Sequence, residues 1–144
     1  MNLKFRAWNT FEKKMYKVGQ LTLDKLAGWS FEPCIRSKTV DVSVPTQPYV
    51  KIMQSSGLVD KDGNEIFEGD VLLSVASDNP RDHKKWIVSY EDGGFICDFK
   101  YTPKDRRKRH LHEIEPLCAD NIYFYKFKVI GNIYENPELL KQDI

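Results

Sequence analysis

A chain of 144 residues with a net charge of +1, 41% hydrophobic and 30% charged residues can bury a core of its own, as one domain or two small β units. The near-neutral balance excludes a role that coats nucleic acid with charge over the whole molecule. Three dispersed cysteines, Cys34, Cys97 and Cys118, make no CxxC pair, which argues against a disulfide framework or zinc knuckle and for reduced thiols in a cytosol.

The first element is a strand, since Leu3, Phe5 and Ala7 alternate with Lys4 and Arg6. Asn9-Thr10 and Lys13-Lys14 bracket a turn, and Met15 to Val18 returns as its hairpin partner. Leu23 and Leu26 stand at helical spacing behind Thr22, so a short helix is predicted over Leu21 to Ala27, ended by Gly28. Trp29 to Ser37 has no decisive pattern. Val40, Val42 and Val44 alternate, but Pro45 and Pro48 confine that run to an edge. Tyr49 to Met53 is extended, and Lys61-Asp62-Gly63-Asn64 reads as a tight turn.

From Asp70 the pattern is a meander. Val71, Leu73 and Val75 share a face, and Trp86, Val88 and Tyr90 share another. Glu91-Asp92-Gly93-Gly94 is the clearest hairpin turn, followed by Phe95, Cys97, Phe99 and Tyr101 in alternation. Tyr123, Tyr125, Phe127 and Val129 predict the last strong strand. Asn136-Pro137-Glu138 opens a short terminal helix. Five short strands with close turns suggest an SH3-like barrel. The predicted class is α+β, mainly β, with an N-terminal α+β region over 1–56. The barrel and its short C-terminal helix occupy 57–144.

Three blocks resemble the YopX family of bacteriophage and prophage proteins: Lys4-Phe5-Arg6-Ala7-Trp8; Ile52-Met53-Gln54 through Ile66-Phe67-Glu68-Gly69-Asp70-Val71; and Val129-Ile130-Gly131-Asn132-Ile133-Tyr134-Glu135-Asn136-Pro137-Glu138-Leu139-Leu140. Ser55-Ser56 departs from the aromatic and threonine expected in the second block. The resemblance implies a phage- or prophage-encoded protein of bacterial cytoplasm, an SH3-like barrel and self-association, and it implies no activity. Physical roles are legible nonetheless. Asp70 should accept backbone N–H groups, Gly131-Asn132 should form a bulge or turn, and Trp8 and Tyr134 should join the two regions.

Chemistry is hard to assemble. His110 and His112 share a strand face, but Glu113 and Cys118 follow at no established ligand spacing, so no metal is expected. No cysteine carries a nucleophile signature, Cys97 reads as core, and neither a P-loop nor GxGxxG occurs. No catalytic residue and no cofactor are expected. The charged feature that invites a function is Lys104, Arg106, Arg107, Lys108 and Arg109, extended by Lys100 and Tyr101. It suits nucleic acid or a partner protein. No apolar run approaches the roughly 18–20 residues of a membrane span. A binding protein that forms homo-oligomers, not an enzyme, is the leading expectation, with nucleic-acid binding as the alternative.

Overall fold

Alternation of apolar and polar residues dominates the chain, and strands dominate the structure. The computed structural model describes the backbone of residues 4–26, 30–37, 43–45, 50–101 and 111–140, and the side chains of 4–18, 50–99 and 113–140. Two compact units divide it, Met1–Ser55 and Ser56–Ile144.

In the first unit, β1 (Phe5–Asn9) pairs antiparallel with β2 (Lys14–Leu26) on one side and with β5 (Val50–Val59) on the other. The β1–β2 turn is held by Asn9, whose Oδ1 accepts from the N–H groups of Phe11 and Glu12 at 3.0 and 2.9 Å. Ala7, Val18 and Val50 are buried together, with Phe5 and Ile52 against them. Beyond β2 lie β3 (Ser30–Ser37) and β4 (Ser43–Pro45), giving a six-stranded sheet in the order β4-β3-β2-β1-β5-β6, where β6 is Glu65–Phe67.

The helix predicted over Leu21 to Ala27 is corrected here. Residues up to Leu26 continue β2, paired with β3 from Val18↔Ser37 to Leu26↔Ser30. Leu21 and Leu23 fit a period of two as well as Leu23 and Leu26 fit a helix, and the facing strand decides between them. Described residues of this unit are therefore strand and turn, without the helix expected of 1–56.

In the second unit, the turn after β5 leads into β6 (Glu65–Phe67), with Gly63 at φ +87° supplying the left-handed residue. Then comes a five-stranded antiparallel sheet. Its strands are β7 (Asp70–Ser74), β8 (Lys84–Glu91), β9 (Gly94–Tyr101), β10 (Leu111–Pro116) and β11 (Phe127–Asn132), in the order β10-β9-β8-β7-β11. The expected turn between β8 and β9 is present. Asp92 and Gly93 both take positive φ, 52° and 81°, the type I′ geometry that suits strand twist. Asp70 takes its expected place, with Oδ2 accepting from Phe67 N–H at 2.8 Å.

One face of this sheet builds a single core of Ile66, Leu72, Trp86, Val88, Cys97, Phe99, Leu117, Ile122 and Phe127. Trp86 is its centre, with ring centroids 5.3 Å from Phe99 and from Tyr125 and 5.7 Å from Phe127. Its indole N–H donates to Ser74 Oγ at 3.3 Å, so the buried polar edge is satisfied.

The strand predicted through Tyr123 and Tyr125 is half helix. Helix α1 (Ala119–Tyr125) connects β10 and β11, which occupy opposite edges of the sheet. A period of 3.6 buries Ile122 and half-buries Tyr125 while Tyr123 and Phe124 face solvent at 86% and 69% exposure. Aromatic alternation over 123–129 therefore misreads two elements as one.

The bulge expected at Gly131 occurs as a register shift between Val129 and Gly131 on β7. A Cβ on Gly131 would collide with Asn136 Oδ1 and approach Leu139 Cδ1 to 2.8 Å. Those atoms belong to the closing turn, where Asn136 Oδ1 accepts from Asn132 N–H at 3.2 Å and Pro137–Leu140 forms the expected short terminal helix, as a 3₁₀ helix. Gly131→Ala should destabilise the protein by about 2 kcal/mol, read as a lower urea midpoint, because the turn must move to admit the methyl group.

Candidate functional site

One surface of the second unit brings the exposed side chains of Val59 and Tyr123 beside the core residue Ile122. It begins at the end of β5. Asp60, 4% exposed, stops the strand with its carboxylate. Oδ1 accepts from the N–H groups of Asp62 and Asn64 at 2.9 and 2.8 Å, and Oδ2 accepts from Asn64 Nδ2 at 3.2 Å and from Val129 N–H at 2.9 Å. Lys61 N–H adds a bond to Phe127 O at 3.0 Å. Burial works to raise the Asp60 pKa, but the donors on Val129, Asn64 and Asp62 outweigh it and hold it below the usual carboxylate value. Asp60 is thus a structural carboxylate that ties the β5–β6 turn to β11.

Helix α1 forms the opposite wall. Ala119, Ile122, Tyr123 and Lys126, at i, i+3, i+4 and i+7, line a groove of about 600 Å³ with Gly57, Leu58, Val59 and Lys61. Val59 is 53% exposed. Lys126 ends the helix in the left-handed conformation, φ 50° and ψ 54°, its N–H donating to Ile122 O. Glycine fills such a position more cheaply. Lys126→Gly should therefore stabilise the fold by about 1 kcal/mol, seen as a higher urea midpoint.

Other polar groups serve structure. Ser74 Oγ accepts from Lys84 N–H at 3.2 Å and from the Trp86 indole. Asn132 Oδ1 accepts from Tyr134 and Glu135 N–H at 3.1 and 2.8 Å. Burial, with smaller contributions from Cys118 and Glu115, pushes the Cys97 thiol up to about 12, so it stays protonated and a poor nucleophile. Burial and the carboxylates of Glu115 and Glu113 raise the Tyr125 phenol. Among the described residues no three of His, Cys, Asp and Glu gather as a metal-ligand set.

The basic run singled out in the sequence is placed only at its flanks. Lys100 and Tyr101 end β9, paired through backbone with His112 and Leu111. Lys104, Arg106, Arg107, Lys108 and Arg109 lie outside the described residues, as does His110. Sequence reasoning passed over Val59, Tyr123 and Lys126. The helical stripe of Ala119, Ile122, Tyr123 and Lys126 was the available signal, hidden by the alternating aromatics that follow.

Among the described residues two antiparallel sheets, one of them a half-barrel, and a single α-helix define a mainly β protein. The chain belongs to the YopX protein family, whose model matches residues 4–141. It is similar to the crystal structure of protein EF1440 from Enterococcus faecalis, at 30% identity over 98% of this chain and 99% of that one, with a TM-score of 0.62. Its fold is also similar to the crystal structure of protein yopX from Bacillus subtilis, at 21% identity over the whole of both chains, with a TM-score of 0.60. No curated protein matches the chain. No helix among the described residues is long and apolar enough to cross a membrane.

Proposed function

We propose that this protein is a non-enzymatic accessory protein of phage or prophage origin, working in the cytoplasm of a bacterial host by binding, and that it forms homo-oligomers. The phage origin rests on the family. The strand order of the second unit supports reading it as an SH3-like barrel: four strands in a meander, a helical crossover, and a fifth strand returning to pair with the first.

The observation that carries self-association is the outer face of the five-stranded sheet. Register places Ile87, Asp98 and Ile114 in one row across β8, β9 and β10, with Ile96 and Pro116 beside them. Ile114 is 51% exposed on the end strand of that sheet. An exposed isoleucine at a sheet edge is a surface that another copy covers at little cost. Light scattering across the micromolar range should give a mass above one chain, and Ile114→Lys should shift it toward the monomer. A monomer at every concentration overturns the oligomer.

A second reading has its own support. The segment of sequence between the paired residues Tyr101 and Leu111 carries five cations, Lys104, Arg106, Arg107, Lys108 and Arg109. Binding of labelled DNA or RNA through them should weaken steeply with salt. No binding at low salt, or unchanged binding after Arg106, Arg107 and Arg109 become alanine, ends that reading.

A further inference from the structure

The groove between Gly57–Val59 and α1 has a lopsided composition. Leu58, Val59, Ala119, Ile122 and Tyr123 give it an apolar lining, and its two charged lining residues are both lysines, Lys61 and Lys126. Among the described residues no carboxylate lines it. Lys61 Nζ lies 3.2 Å from Asp62, with both side chains well exposed, a pairing of small energetic weight that leaves the ammonium available. Among the described residues no carboxylate pairs with Lys126.

Lys126 is the more telling of the two. It occupies a left-handed backbone position where a side chain carries a conformational cost, and that side chain borders the groove. Tyr123 stands beside it at 86% exposure, a large amphipathic ring suited to cover an incoming group. An apolar trough with a cation contributed by each wall is complementary to a ligand whose apolar side chain is flanked by negative charge.

We propose that this groove receives an acidic peptide segment of a partner protein. An apolar side chain of that segment enters between Leu58 and Ile122, and its carboxylates meet Lys61 and Lys126. Concavity favours a peptide over an anionic lipid surface, since a bilayer would meet the exposed ring of Tyr123 at the rim and leave the trough empty. The proposal rests on the reading of the protein as one that acts by binding, but it uses a surface separate from the Ile114 row.

The test uses the full chain and a library of fluorescein-labelled hexapeptides, each with a central Leu, Phe or Trp flanked by Asp and Glu or, in the matched set, by Lys and Arg. Fluorescence anisotropy should show binding by members of the acidic set, weakening as salt rises, and none by the basic set. Lys61→Ala and Lys126→Gly should each weaken that binding about fivefold, equivalent to about 1 kcal/mol. Lys126→Gly should do so while remaining folded, so loss of structure cannot mimic the result.

Failure of the whole acidic set, equal binding of the basic set, or indifference to both lysine variants overturns the proposal. So does co-sedimentation of the protein with phosphatidylglycerol vesicles that Lys126→Gly abolishes, which would assign the surface to a membrane. Light scattering on the same variants should leave the assembly mass unchanged. A mass lowered by Lys126→Gly would make the groove an interface between copies and overturn the peptide reading. A monomeric protein that binds the acidic set overturns self-association and keeps the groove.

Discussion

Asp60→Ala should lower stability by about 3 kcal/mol, because a buried carboxylate that accepts four hydrogen bonds leaves its donors without a partner when it is removed. One of those donors, Val129 N–H, belongs to β11, so the substitution also releases the turn from that strand. Asp60→Asn keeps the shape but loses the charge and one acceptor, so it should fall between wild type and alanine. The acid limb provides a second check. The folded pKa lies below the unfolded value of about 3.9. Asp60 therefore contributes stability that is fully present above that value and is lost as pH falls through the folded pKa. Urea midpoints measured from pH 6 to pH 2 should decline in the wild type, with a shallower decline below about pH 4 in Asp60→Asn. Parallel curves would contradict the assignment.

Trp86→Ala should cost about 4 kcal/mol, enough to bring a domain of ordinary stability near its unfolding threshold. Trp86 is 1% exposed and touches rings from β9, α1 and β11, so no single neighbour can fill the space it leaves. Trp86→Phe retains a ring among Phe99, Tyr125 and Phe127 but abandons the bond to Ser74 Oγ, and should cost less. Urea denaturation followed by far-ultraviolet circular dichroism measures both. A loss below about 1 kcal/mol for alanine would show that this cluster does not organise the core.

The sequence made the meander legible because its turns are chemically explicit. Asp92-Gly93 and Gly63 require positive φ, and the residues around them alternate. Cys97 as core, Asp70 as a backbone acceptor and the Gly131 bulge were readable for the same reason: each depends on local geometry. Two elements were not readable. Leu21 to Leu26 satisfies both periods, and only pairing with β3 makes it strand. Ala119 to Tyr125 carries a helical stripe, but the aromatic alternation that runs on into β11 overlies it, and the crossover from β10 to β11 is set by topology.

The candidate groove was hidden by the same error, since Lys126 and Tyr123 gain meaning only once they stand on a helix. Asp60 illustrates the other limit. Its acidic, turn-forming surroundings announce a local cap, but nothing in the sequence points to a partner at Val129.

That partnership has a bearing on how the chain is made. The Asp60–Val129 bond spans 69 residues, and β7 likewise waits for β11. At ordinary rates of synthesis the second partner leaves the ribosome roughly 3–14 s after the first. For the later part of that interval, once they have themselves emerged, Leu72, Trp86 and Val88 have no Phe127 to close over them. Nascent chains of this protein should be most prone to chaperone capture in that window, and a translational pause before β11 would lengthen it.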